Sequence, residues 1–289
     1  MLQPEKIAQL FAGAPAAELG DALDAFINSA APTADRVRAI EKLLRAADQG
    51  WRDEIGEWVA DLLNVEKLVP EAYRAWRALV HDSMAFVTAH ISPERLAPKI
   101  VEQIEIAEDT PEENRLGIVI AKTPGLQKLG QVLARTRKLS PRLRTELQLL
   151  ENGIKDTTPA EVRAIVEAKL GPAMRAYAVE LAGELLSEAS VSAIIEFSWF
   201  NPGAGRRERG VFKVMKPHVP AYYAEDLRLL QDLAEHLASR SRVYGFASRE
   251  VVETLDEVRM LLESEVDFRR EQATLAEIGR VYRWDGAHA

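Results

Sequence analysis

A lysine in the middle of a predicted β-strand is the residue of this chain best suited to bind phosphate. In the segment Val211-Phe212-Lys213-Val214, Phe212 and Val214 face one side of a strand and Lys213 faces the other. A lysine held in this way presents a compact cation that can reach phosphate oxygens. A solvated surface lysine is the alternative, and the strand pattern alone leaves both interpretations open.

A glutamate further along the chain supplies a partner for that lysine. Glu271 lies in a predicted helix, with Phe268 three residues before it and Leu275 four residues after it. These apolar neighbours place its carboxylate at the inner edge of the helix, although a surface glutamate paired with Arg270 is the alternative. Protein kinases pair a strand lysine with a helix glutamate in this way, about twenty residues apart. Here the two residues are 58 positions apart, because a further predicted helix is inserted.

Two more short motifs accompany this pair in a fixed order. Lys128-Leu129-Gly130-Gln131 precedes the strand, and Glu265-Val266-Asp267 leads into the helix of Glu271. With the strand end Lys213-Val214-Met215-Lys216-Pro217, the set resembles the UbiB (AarF-like) family of atypical, protein-kinase-like proteins. The resemblance extends over residues 120–283, where the family carries Lys-x-Gly-Gln, Lys-Val-Gln-Arg-Pro and Glu-x-Asp motifs.

The resemblance implies a nucleotide site. Lys213 would hold the phosphates and Glu271 would orient Lys213. Ala189 and Ser190 would stand where a kinase has its Gly-rich loop, and Glu188 would place a negative charge beside the phosphates. The implied cofactor is ATP or ADP with Mg, and the implied setting is ubiquinone or isoprenoid lipid metabolism.

The resemblance also implies a plug over the cleft. Lys128 and Gln131 would meet Glu265 and Asp267, and the helix that carries the first two would close the cleft to polypeptide substrates. We therefore expect these four residues to be regulatory.

Only eighteen residues follow Glu271. That length is too short for a catalytic loop and a metal-binding Asp-Phe-Gly segment. We therefore expect the N-terminal part of a UbiB-type kinase or ATPase, with no catalytic residue and no metal ligand in this chain. Nucleotide would bind only when a C-lobe is supplied, so whether the chain is an enzyme stays open. The alternative function is a non-catalytic helical interaction or regulatory protein, that is, a pseudokinase remnant.

The predicted fold is mainly α (α+β). Residues 1–108 show apolar residues at helical spacing and form a predicted helical domain of unknown role. Residues 109–187 form a helical extension with the Lys-x-Gly-Gln motif, in which a helix from Val162 ends at Gly171-Pro172. Residues 188–289 form a partial kinase-like N-lobe, with a hairpin of two antiparallel strands (192–199 and 211–216) and a last helix over 248–281.

The composition of the chain argues against several classes of function. The net charge of −8 and the pI of 5.4 argue against a general nucleic-acid binder. The chain has no cysteine, which excludes disulfides and thiolate sites, and its five histidines lack the spacing of a metal site. No apolar run approaches the ~18 residues that a spanning helix needs.

We expect a cytoplasmic protein, with the inner membrane surface as a peripheral contact. The expected partners are nucleotide, isoprenoid lipid pathway proteins or a membrane surface, and a second copy of the chain.

Overall fold

The computed structural model describes residues 9–27, 31–69, 71–128, 157–245 and 248–281. Its first part is helical, as predicted, and residues 124–128 are also helical. The elements of this part are α1 (Ala16–Ile27), α2 (Thr33–Ala46), α3 (Gln49–Leu63), α4 (Val65–Leu68), a 3-10 helix (Glu71–Trp76), α5 (Arg77–His90), α6 (Pro93–Glu105) and α7 (Glu112–Ile120).

A three-stranded antiparallel sheet follows, with the strand order β1-β2-β3. The predicted α+β class is therefore confirmed. The elements of this part are α8 (Pro159–Ala176), β1 (Glu180–Glu188), β2 (Ser192–Asn201), β3 (Arg206–Met215), α9 (Val219–Ser239), α10 (Ser241–Tyr244), α11 (Ser248–Val266) and α12 (Phe268–Val281).

An apolar core joins the N-terminal helices to α9 and α11. Its buried members include Leu43 and Ile100 from the first part and Leu233 and Leu262 from the second. Full burial of each such side chain stabilises the fold by about 1.5–3 kcal/mol. This core crosses the predicted boundary at residue 108, so the helices of residues 9–108 support the elements that follow them.

A second, smaller core fixes the orientation of the sheet. Val162 and Val166 of α8 pack against Ile195 of β2 and Val214 of β3. Because side chains alternate across a strand, the opposite face of β3 carries Lys213. Helix α8 thus determines which face of the sheet is free to present the lysine.

The sequence predictions missed one strand and misplaced the bounds of other elements. The strands predicted over 192–199 and 211–216 are Ser192–Asn201 and Arg206–Met215. Strand β1 was missed, although it pairs with β2 along its length. Helix α8 continues through Pro172 to Ala176. The proline leaves the carbonyl of Ala168 without its helical donor, but Ala168 is exposed to water, which can replace it. The last helix is two helices, separated at Asp267.

Candidate functional site

The structure brings Lys213 and Glu271 into direct contact. Nζ of Lys213 donates a hydrogen bond to Oε2 of Glu271 at 2.6 Å. The same Nζ lies 5.0 Å from the ring centroid of Phe268, close enough for a cation–π interaction. The two charged side chains are 36% and 43% exposed, so a ligand in solvent can reach the ammonium.

Strand β3 and helix α12 position this pair from opposite sides. Lys213 pairs with Ile194, the third pair from one end of the β2–β3 ladder, which fixes its backbone. Asp267 begins α12, because its Oδ1 accepts a hydrogen bond from the backbone N of Arg270 at 3.0 Å. Phe268 and Glu271 are three residues apart on this helix and therefore share the face that meets Lys213.

A second polar contact lies where α11 meets the β1–β2 turn. Nζ of Lys128 forms an ion pair with Oε1 of Glu265, and Oγ of Ser190 donates to Oε2 of Glu265 at 3.1 Å. We call these three residues the plug contact. The predicted meeting of Lys128 with Glu265 is therefore observed. Gln131 lies outside the described residues.

Asp267 does not contact Lys128 through any hydrogen bond or ion pair that the described part of the chain shows. Its carboxylate instead caps α12, as its bond to the backbone N of Arg270 shows. A cap of this kind contributes about 1 kcal/mol to a helix. The observed role of Asp267 is thus to start the helix that carries Glu271.

The turn between β1 and β2 is closed by local bonds. The backbone N of Ala189 donates to the carbonyl oxygen of Ser192 at 2.7 Å, and Ser190 is 3% exposed. The side chain of Ala189 is exposed, so this residue forms the outer surface of the turn. A phosphate that approached Lys213 along this edge would meet a turn with its shape already fixed.

The negative charge expected from Glu188 is offset by a cation that sequence reasoning missed. Oε2 of Glu188 lies 3.1 Å from Nζ of Lys216, and the two side chains are 7% and 0% exposed. The backbone N of Lys216 also donates to the carbonyl oxygen of Val191 at 3.0 Å. Lys216 directly precedes Pro217 at the end of a strand, a position that gave no sign of burial in the sequence. The pair joins the end of β1 to the end of β3.

Among the described residues, three ion pairs of the site differ in their surroundings. Lys216–Glu188 is buried, Lys128–Glu265 is partly buried, and Lys213–Glu271 faces solvent. Of these cations, Lys213 is the one whose exposure fits a phosphate ligand. Among the described residues, no three His, Asp or Glu side chains lie close enough together to hold a metal ion.

The chain is similar to curated proteins named "Probable protein kinase UbiB". The relatives from Xanthomonas axonopodis pv. citri and Xanthomonas euvesicatoria pv. vesicatoria are each 30% identical to it over 167 residues. The matched part covers 57% of this chain and 29% of each relative. The chain thus spans less than a third of the length of these relatives. No family model matches it, and no solved structure matches it significantly.

Throughout the described ranges, no helix combines the length and the apolar character that crossing a membrane requires.

Proposed function

We propose that this chain carries the phosphate-binding half of the nucleotide site of a UbiB-type atypical kinase or ATPase. The contact between Lys213 and Glu271, at 2.6 Å, is the observation that carries the proposal. Similarity to proteins named as probable kinases supports it independently of the geometry. The family resemblance links the protein to the metabolism of ubiquinone or another isoprenoid lipid.

In this proposal Lys213 holds the nucleotide phosphates. The β3 ladder fixes its backbone, and Glu271 and the ring of Phe268 hold its ammonium in place. Two unit charges 4 Å apart attract each other by about 4 kcal/mol at an effective dielectric constant near 20. A pre-positioned lysine therefore contributes to phosphate binding without the entropic cost of ordering a free side chain.

The plug contact closes the opposite part of the site. Glu265 accepts from both Lys128 and Ser190, so the turn that would face the nucleotide is tied to the helical segment before it. Polypeptide substrates would then be excluded while nucleotide enters from the side of Lys213. Bound nucleotide supplies the phosphoryl group and its Mg ion, and the residues of this chain bind and orient the phosphates.

Thermal unfolding with and without ATP and Mg tests the proposal, in protein that includes the rest of the kinase-like domain. We expect nucleotide to raise the melting temperature of the wild type and to leave Lys213→Ala unchanged. Arg209→Ala is the matched control, because Arg209 lies on the same face of β3 and also pairs with a glutamate, Glu196, at 2.8 Å. Equal nucleotide shifts in the wild type and Lys213→Ala would exclude the assigned role.

A helical interaction protein is the second candidate function. Helix α12 exposes Leu275 and Ile278 next to each other on its surface, at 62% and 46%. Two neighbouring exposed apolar side chains on one helix face are the observation that favours this candidate. Light scattering tests this candidate, because a strictly monomeric, folded chain would argue against self-association through α12.

A further inference from the structure

Asp226 of α9 joins three parts of the fold through its two carboxylate oxygens. Oδ2 accepts a hydrogen bond from the backbone N of Gly125 at 2.8 Å. Oδ1 accepts one from Nη2 of Arg95, in α6, at 2.6 Å. The side chains of Arg95 and Asp226 are 3% and 0% exposed. A buried carboxylate thus contacts both an N-terminal helix and the segment that leads to Lys128.

The bond from Gly125 has a clear structural reason. Residues 124–128 are helical, so Gly125 lies in the first turn, where backbone N–H groups have no partner inside the helix. Asp226 supplies the missing acceptor from another element and acts as the cap of this turn. Its negative charge also interacts favourably with the positive end of the helix. Lys128 stands three residues further along the same helical segment.

Arg95 holds that acceptor in place. Burial raises the pKa of Asp226, and the positive charge of Arg95 is foremost among the influences that oppose the shift. Arg95 is itself oriented by α9, since its Nη1 lies 3.1 Å from Oε2 of Glu225. Its guanidinium carbon lies 4.6 Å from the ring centroid of Tyr222.

We propose that the Arg95–Asp226 pair is a positioning device for the plug contact. It fixes the start of the 124–128 segment, so that Lys128 meets Glu265. The inference rests on the proposed function, in which the plug contact limits access to the nucleotide site. It gives the N-terminal helices a regulatory role, because a displacement of α6 would move Asp226 and with it Lys128.

Amide hydrogen exchange in this 289-residue chain tests the proposal without nucleotide. The critical variant is Asp226→Asn, which preserves shape. One amide oxygen can satisfy Gly125 or Arg95 but not both, since the other amide atom is a donor. We expect amide exchange of residues 125–128 to rise about fivefold, because loss of a helix cap costs about 1 kcal/mol. Exchange at residues 189–192 and 262–266 should rise with it.

Arg36→Met is the control that separates positioning from general stability. It breaks another ion pair of the N-terminal helices, Arg36–Glu105 at 2.6 Å. It should leave exchange at residues 125–128 unchanged. In Lys128→Met, a further Asp226→Asn change should add nothing to exchange at 189–192, because the plug contact is already lost.

The proposal is overturned by any of three results. Asp226→Asn could leave residues 125–128 protected, or it could release them while residues 262–266 stay protected. It could also raise exchange in α3 and α5 by the same factor as in the 124–128 segment, which would show that the Arg95–Asp226 pair has only a general structural role. All three are independent of whether nucleotide binds, so failure of the nucleotide assignment to Lys213 would be recognised separately.

Discussion

The ammonium of Lys213 and the carboxylate of Glu271 meet at 2.6 Å, although the two residues are 58 positions apart in the sequence. Both side chains are more than a third exposed. Exposed ion pairs contribute between zero and about 1 kcal/mol to stability, so folding gains little from this contact. A pair with such a small structural role is well suited to exchange part of its interactions for a phosphate ligand.

The stability difference between two glutamate variants tests this view. Glu188→Gln replaces the carboxylate partner of the buried Lys216 with a neutral amide, and we expect it to cost about 3 kcal/mol. Glu271→Gln makes the same change beside the exposed Lys213 and should cost less than about 1 kcal/mol. Urea unfolding at neutral pH measures both. Equal losses would show that the Lys213 pair is a structural element like the Lys216 pair.

The sequence indicated the long-range contacts of the site better than it indicated the elements around them. The contacts of Lys213 with Glu271 and of Lys128 with Glu265 could be expected because these charged residues stand in the motifs that resemble the UbiB family. Strand β1 could not be inferred, since its residues do not alternate and its register shifts twice against β2. Strand β1 forms because β2 supplies the backbone groups that hydrogen-bond to it.

The burial of two charged residues could not be found from the sequence. Lys216 belongs to the strand-end motif and Asp226 to a helical pattern, and the burial of each depends on a partner from a distant element, Glu188 and Arg95 respectively. The break at Asp267 was missed for a related reason. A helical pattern runs through residues 248–281, and only the bond from Arg270 to the Asp267 carboxylate shows that a second helix begins there.

Buried Lys99 makes the stability of the chain depend on pH. Burial, the largest influence, lowers the pKa of Lys99 from 10.5 to about 7. Its Nζ donates to the carbonyl oxygens of Ile118 and Ala121 at the end of α7. Between pH 7 and 10.5 the unfolded chain binds a proton that the folded chain does not. The free energy of unfolding should therefore rise with pH in this window, by at most about 1.4 kcal/mol per unit.

Comparison with Lys99→Met isolates this contribution from other titrating groups. The free energy of unfolding of the wild type minus that of the variant should increase by about 2 kcal/mol between pH 7 and pH 9. Denaturant unfolding at each pH provides the values. A difference that stays constant, or falls, would show that the Lys99 amine is not deprotonated in the folded state.

Close packing of α3 against α5 predicts opposite effects at two helical glycines. A Cβ at Gly56 would lie 2.2 Å from the backbone oxygen of Ala85, so Gly56→Ala should force the helices apart and cost about 3 kcal/mol. A Cβ at Gly117 in α7 meets nothing within 4 Å. Gly117→Ala should therefore stabilise the chain by about 0.5–1 kcal/mol. Thermal unfolding of both variants checks the pair, and a harmless Gly56→Ala would contradict the packing.

Calorimetric titration with ATP and Mg is the most direct test of the central claim. It compares this 289-residue chain, protein that includes the rest of the kinase-like domain, and the Lys213→Ala variant of the latter. We predict binding in the longer protein, its loss in Lys213→Ala, and little or no binding by this chain alone, which supplies half of the contacts. Micromolar binding by this chain alone, or binding by the longer protein that persists in Lys213→Ala, would contradict the account.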